Sequence, residues 1–203
     1  PDAAAVIHLL GCNHEPVPVK RAYKGQRLGL AVAQPGVEQA IRYALEHGFD
    51  LLLLDATGNM SQPWSELQSS VDLSVLRDTV ATLRRLNEEE AVDLAFFGGV
   101  RSGTDTAKLL AQGVHATVVG AAMGFALGGQ INTDGSGMTF ASDYSNDDRE
   151  LGAENFLKAC ASEVSMMARA TGKTNVHNLE PEDLRAISVA AAQATGIILA
   201  GTH

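Results

Sequence analysis

The chain of 203 residues has little cysteine, few aromatics and no block of positive charge. Its two cysteines, Cys12 and Cys160, stand far apart and form no C-x-x-C pair. They point to a reducing compartment rather than a disulfide framework. Lys and Arg number 15 against 24 Asp and Glu, giving a net charge of −9. That balance excludes a general nucleic-acid or anionic-membrane surface. No apolar run approaches the roughly 20 residues of a membrane span, and nothing resembles a signal peptide. The expectation is a cytoplasmic protein without nucleic-acid or membrane partners. The first residue is Pro1 rather than an initiator Met, as in a processed product or a piece of a longer chain.

What the chain does hold is a series of apolar segments separated by short turns. With 45% hydrophobic residues it can build a core, and its length fits one domain over 1–203. Residues 28–33 are a short apolar run closed by Pro35 and Gly36. Val37, Ala40, Ile41, Ala44 and Leu45 then recur at helical spacing up to Gly48. Residues 49–54 are nearly continuous in apolar character and end in Asp55. Strands covered on both faces read this way, which predicts a parallel sheet with helices outside, an α/β architecture. A second helical stripe runs through Leu73, Leu76, Val80 and Leu83. Residues 92–97, 104–112 and 115–119 complete a βαβ unit. Residues 128–149, rich in Gly, Asn, Asp and Ser, read as an irregular loop. Residues 150–203 read as a C-terminal helical tail, with a long helix over 152–171 and a last helix opened by Pro181. Residues 3–10 fit either a strand or a buried helix, and 11–16 a loop.

The densest functional signal lies in two glycine turns. Phe97-Gly98-Gly99-Val100-Arg101-Ser102-Gly103 follows one strand, and Val119-Gly120-Ala121-Ala122 follows the next. A dianionic phosphate needs several N–H donors, and glycines leave the backbone bare enough to reach it. Gly98, Gly99 and Gly120 suit that use. They suit equally the plainer one of tight turns and close helix packing. Arg101 either adds charge to such a site, pairs with Asp105 or faces solvent. Ser102, with Asp105 three residues on, makes an approximate capping box. Asp55-Ala56-Thr57-Gly58-Asn59 is a third turn at a strand's carboxyl end. The polar stretch 60–72 holds the sole tryptophan, Trp64. It either covers a site or is a surface connection anchored by that ring. Metal chemistry is not expected. Cys12 and His14 lack two further ligands, and Asp134, Asp143, Asp147 and Asp148 lack EF-hand spacing. Ser61, Ser65 and Ser102 sit in no nucleophile elbow, and His47, His115 and His177 follow no triad spacing, so no catalytic residue is assigned.

The run FFGGVRSGTDTAKLLAQGVHATVVGAAM resembles the C-terminal half of FMN-binding (β/α)₈ barrels. Their signature is a strand, then G-G-[IV]-R-x-G-x-D-x-x-K-x-x-x-x-G, then a strand ending in V-x-[IV]-G. Within that group the sequence is most similar to the glutamate synthase family, meaning the flavin domain of its large subunit and N-methylglutamate synthase-type flavin subunits. The stretches DLSVLRDTVATLRRL and GKTNVHNLEPEDLRAISVAAAQATGIILAGT carry the same resemblance. It implies that Gly98, Gly99, Val100 and Arg101 form the first phosphate loop of an FMN site, and Gly120 and Ala121 the second. Asp55, Thr57 and Gly58 would border the flavin ring or the substrate.

The chain also departs from the family pattern. Family members carry a Lys in the strand that aligns with 28–33; this strand has none, and the matching position reads as Leu30. The D-G-G-T-G loop is reduced to Asp55-Ala56-Thr57-Gly58. The cysteine cluster that the conventional synthase places after its second phosphate turn has no counterpart in 124–137, so no iron–sulfur cluster is expected. The length falls below the roughly 250 residues of a complete TIM barrel. The expectation is therefore the C-terminal part of a TIM-barrel-like fold. A partner chain, a second copy or a longer precursor would supply the rest and cover the open sheet edges. The implied activity is FMN-dependent reductive formation of an amino acid from a 2-oxo acid or its imine. Two other readings stay open. One is a non-catalytic barrel subunit that keeps the phosphate-binding half and acts by assembly with a partner chain. The other is a barrel enzyme for a phosphorylated metabolite that uses no flavin.

Overall fold

The computed structural model of the protein describes residues 3–9 and 20–202. The reading of Cys12 with His14 and the loop at 11–16 lie outside the described residues. Strands β1 (Ala5–Leu9), β2 (Arg27–Val32), β3 (Leu51–Asp55), β4 (Asp93–Phe97) and β5 (Ala116–Val118) form one parallel sheet in that order. Helix α1 (Val37–Glu46) joins β2 to β3, and α2 (Ser65–Gln68) with α3 (Ser74–Leu86) joins β3 to β4. Helix α4 (Gly103–Leu110) joins β4 to β5. This is the α/β alternation read from the sequence, and of the two readings of the first apolar run the strand holds, at Ala5–Leu9.

Side chains alternate across a strand, and here the two sides differ. Leu28, Leu30, Val32, Leu52, Leu54, Leu94 and Phe96 pack on one side with Val37, Ile41, Ala44, Val75, Leu76 and Leu83 of the helices. Burial of each such side chain contributes about 1.5–3 kcal/mol relative to exposure. The other side is only partly covered. A Cβ at Gly29 would meet Ile7 Cγ1 at 3.0 Å and Leu51 Cδ2 at 3.4 Å, so those residues share it. Ile7, Leu9 and Val118 remain exposed. Register sets the level of the strand ends: Asp55 pairs with Phe97, and Phe97 with Val118. The three turns that follow β3, β4 and β5 therefore stand side by side at one rim of the sheet.

The C-terminal third departs from the expected pattern in three places. Residues 128–149 are not irregular throughout. After α5 (Ala121–Ala126), β6 (Gly129–Ile131) and β7 (Met138–Phe140) form an antiparallel hairpin. Asp134 closes its turn, accepting from the Ser136 N–H at 2.9 Å and the Ser136 hydroxyl at 2.7 Å. Helix α6 (Asn146–Ala170) begins well before residue 152, because Ser145 and Asp148 form a complete capping box. Pro181 opens only a single 3₁₀ turn, Pro181–Asp183; the last helix is α7 (Val189–Thr195), capped by Ser188. The tail at 150–203 is thus less helical than its composition suggests, and Leu199 docks on Ala186 through an isolated parallel bridge. Helix α6 packs closely on α4. A Cβ at Gly103 would collide with the Cys160 carbonyl, so only glycine permits that approach.

Candidate functional site

The turn after β3 is organised by its own first residue. Asp55 is buried, and its Oδ1 accepts from the Thr57 N–H at 2.9 Å, the Thr57 hydroxyl at 2.7 Å and the Gly58 N–H at 3.1 Å. Its Oδ2 accepts from the Met60 N–H at 2.9 Å. The Thr57 hydroxyl in turn accepts from the Asn59 N–H. Both polar side chains of this turn are committed to holding it. Gly58, with φ of 66°, lets the backbone reverse and stays exposed. Asp55, Thr57 and Gly58 thus border the rim as a self-contained turn.

The turns after β4 and β5 are organised by a residue from elsewhere. Glu66, on α2, places its carboxylate between them. Its Oε1 accepts from the Gly99 N–H at 3.0 Å, and its Oε2 from the Ala121 N–H at 2.7 Å. A carboxylate held this way is a charge-assisted arrangement. A Cβ at Gly120 would collide with the same carboxylate, so the glycine opens the space the anion fills. Gly98 and Gly99 adopt φ of 126° and 68°, a region that favours glycine. They also lie against neighbours: a Cβ at Gly98 would meet Ala56 Cβ at 3.1 Å, and one at Gly99 would meet Val71 Cγ2 at 2.6 Å. Gly98 and Gly120 thus serve turn geometry and close approach, while Gly99 also contributes a backbone donor.

The remaining candidates divide. Val100 is buried in the main core and anchors its turn rather than facing the cradle. Arg101 points away: its Nε donates to Asp105 Oδ2 at 2.9 Å, and most of its side chain is in solvent. Burial pushes the Asp105 carboxyl up, but the Arg101 hydrogen bonds and the Arg101 and Lys108 charges outweigh it, leaving it below the usual carboxylate range. Ser102 caps α4 through the Asp105 N–H, while the Asp105 carboxylate turns to Arg101 instead of completing a box. Leu30, the position matched to the family's lysine, faces the helices. It is fully buried against the helices, and β2 offers Gly29 and Ala31 to the other side. His115 is structural: its Nδ1 accepts from the Leu94 N–H at 3.0 Å. A shallow hollow between α1 and α3, lined by Gln34, Val37 and Asp78, lies away from the turns.

Glu66 is the residue of this candidate site that sequence reasoning missed. One signal was available, since it is the only charged residue between Met60 and Val71. Its segment is held in place by Trp64, whose ring lies against Phe140 of β7 with centroids 6.2 Å apart. Cβ atoms at Gly124 and Gly137 would press on the same ring. Gln68 Nε2 adds a hydrogen bond to the Ser136 carbonyl at 2.6 Å. Trp64 itself sits in the left-handed region, with φ of 59°. Ser65 is buried, and its Oγ has no hydrogen-bond partner among the described residues. Such features cost on the order of 1–3 kcal/mol each.

A parallel sheet with helices between its strands, and backbone donors converging at the strand ends, is the architecture of part of an α/β barrel. Solved structures bear out that class. The flavin-binding domain of baker's yeast flavocytochrome b2 superposes with a TM-score of 0.59 at 20% identity, covering 89% of this chain and 38% of that one. Flavocytochrome b2 with sulfite bound gives 0.57 at 21% identity over 78% of this chain and 35% of the other. A mandelate oxidase variant with an FMN monooxide adduct gives 0.51 at 19% identity over 75% and 40%. These likenesses establish the fold. No protein-family model matches the chain. A glutamate synthase large subunit-like protein of Rhizobium meliloti (strain 1021) is 32% identical over 207 residues, 84% of this chain and 45% of that protein. The chain is similar to this glutamate synthase large subunit-like protein and spans under half the length of the curated relative it matches. Among the described residues no helix is long and apolar enough to cross a membrane.

Proposed function

We propose that this chain supplies the phosphate-holding side of an FMN site in a glutamate synthase-like oxidoreductase. The observation that carries the reading is the convergence of the Gly99 and Ala121 N–H groups, from adjacent strand ends, on one anion. That cradle fits a phosphate terminus once Glu66 withdraws: its donors already bind an anion, and Gly120 keeps the space open. The residues that would hold the group are Gly99 and Ala121 through their N–H groups, with Gly98 and Gly120 giving clearance and Val100 fixing the turn. Bound there, FMN would supply the electron transfer, with reductive formation of an amino acid from a 2-oxo acid or imine as the proposed chemistry. The chain's own part is to bind and orient. The Asp55 turn forms a rigid wall beside the cradle. Exposed Ile7, Leu9 and Val118 suit cover by another chain or copy, which favours an oligomer.

The test is a titration of FMN into the purified protein with its natural partners. Uptake of FMN with quenched flavin fluorescence supports the reading. Colourless protein that takes up none overturns it. A second reading is a subunit that keeps the cradle but no redox task and acts by assembly. Glu66 within the cradle and Gly29 and Ala31 on the side of β2 that faces away from the helices favour it. Assembly with a flavin-bearing partner, without FMN uptake by this chain, is its signature.

A further inference from the structure

We infer that Glu66 is an internal anion that competes with phosphate for the cradle, and that residues 60–72 form a strap closing over it. The inference rests on the reading of the cradle as a phosphate site and assigns that site a gate. The Gly99 and Ala121 donors cannot serve a phosphate while both are taken by Glu66, so a phosphomonoester enters only when the carboxylate leaves. Among the described residues Glu66 makes no ion pair; backbone N–H groups alone hold its charge. A terminal phosphate carries more charge and more acceptor oxygens than a carboxylate, so it can replace Glu66 on the same donors.

The strap is built to hold without being locked. Its ends are tied by the Met60 N–H on Asp55 and the Asp72 N–H on the Ala56 carbonyl at 2.8 Å; between them Val71 lies against Gly99, the Trp64 ring packs on Phe140, Gly124 and Gly137, and Gln68 donates to the Ser136 carbonyl. Against them stand two features that opening relieves. Trp64 occupies a backbone region that L residues rarely adopt, and the buried Ser65 hydroxyl has no partner among the described residues. Release of the strap lets the tryptophan backbone relax and lets the hydroxyl meet water. A segment with a strained residue, an unpaired buried hydroxyl and a single charge aimed at an anion site is a two-state element that a ligand can bias. The ligand class is a terminal phosphate, whether free or on FMN.

The test compares the wild type with Glu66→Gln and Glu66→Ala. Inorganic phosphate is titrated by calorimetry and by Trp64 emission, and FMN and riboflavin by flavin fluorescence. Circular dichroism checks folding, and the nearly isosteric Glu66→Gln guards against a packing artefact. Expected are phosphate and FMN affinities about tenfold or more higher in both variants, with riboflavin binding unchanged. In the wild type, phosphate should shift Trp64 emission toward that of a water-exposed indole. Equal phosphate affinity in all three proteins overturns the competition. An unmoved Trp64 emission at saturating phosphate overturns the strap. Tighter phosphate binding in the variants, with FMN binding in none, keeps the gate and overturns the flavin reading. Absence of phosphate binding in every protein overturns both.

Discussion

Two sets of backbone donors at the same rim of the sheet each hold a carboxylate, and they obtain it differently. The turn after β3 uses Asp55, within five residues of every donor it serves. The turns after β4 and β5 use Glu66, which is 33 residues from Gly99 and 55 from Ala121. Asp55 cannot leave without unfolding its own turn. Glu66 can leave with its strap while both turns keep their glycine geometry. The same chemical contact is therefore structural in one place and exchangeable in the other, and the separation along the chain decides which.

The largest expected effect breaks the local arrangement. Asp55→Ala should lower stability by about 3 kcal/mol, because it leaves the buried Thr57 N–H and hydroxyl without their acceptor and removes two part-buried N–H bonds as well. Urea unfolding followed by far-ultraviolet circular dichroism measures it, and a loss well under 1 kcal/mol would erase the contrast. Next, Gly120→Ala places a methyl group where the Glu66 carboxylate sits. The end of a glutamate side chain can move, so the stability cost is about 1 kcal/mol, while phosphate binding should fall below detection by calorimetry. Retained binding would show that the cradle is not where phosphate sits. Glu66→Ala should cost less than about 1.5 kcal/mol in the same unfolding assay, well short of Asp55→Ala.

The smallest effect concerns Arg101, which turns to Asp105 on α4. Asp105 is partly buried, which pushes its carboxyl up, but the Arg101 and Lys108 interactions bring it below the ordinary value. A lowered carboxyl means that the pair's contribution to stability is complete above the unfolded carboxylate range, near about pH 4. It is lost as pH falls through the lowered folded value. A carbon-detected NMR titration of Asp105 should give a midpoint below that of an ordinary aspartate, with a small stability change because Arg101 is largely exposed. A midpoint at or above the ordinary value would mean Arg101 is not committed to Asp105.

Much of this was legible in the residues. The near-continuous apolar run ending at Asp55 announced a strand buried on both sides, and the two glycine turns announced donors at strand ends. The short hairpin of β6 and β7 escaped because three-residue strands carry too little alternation to register, although Asp134-Gly135 marked its turn. Helix α6 was read too short because its first turn is Asn, Asp and Asp, which look like loop until Ser145 is recognised as their cap. The face on which Leu30 sits could not be told from composition alone, since β2 is apolar on both sides. Glu66 lay in a polar stretch with no periodicity, and only the register of β3, β4 and β5 brings its targets together.

Strand β5 makes only three paired positions with β4, at the edge of the parallel sheet among the described residues. The Glu66 carboxylate joins the turn after β4 to the turn after β5, so it clasps that short edge from its carboxyl end. Fraying of the edge and emptying of the cradle are then one event. Amide hydrogens at 116–118 should exchange faster in Glu66→Ala than in the wild type, and slow again when phosphate is added. Whatever anion occupies the cradle thereby also seals the end of the sheet.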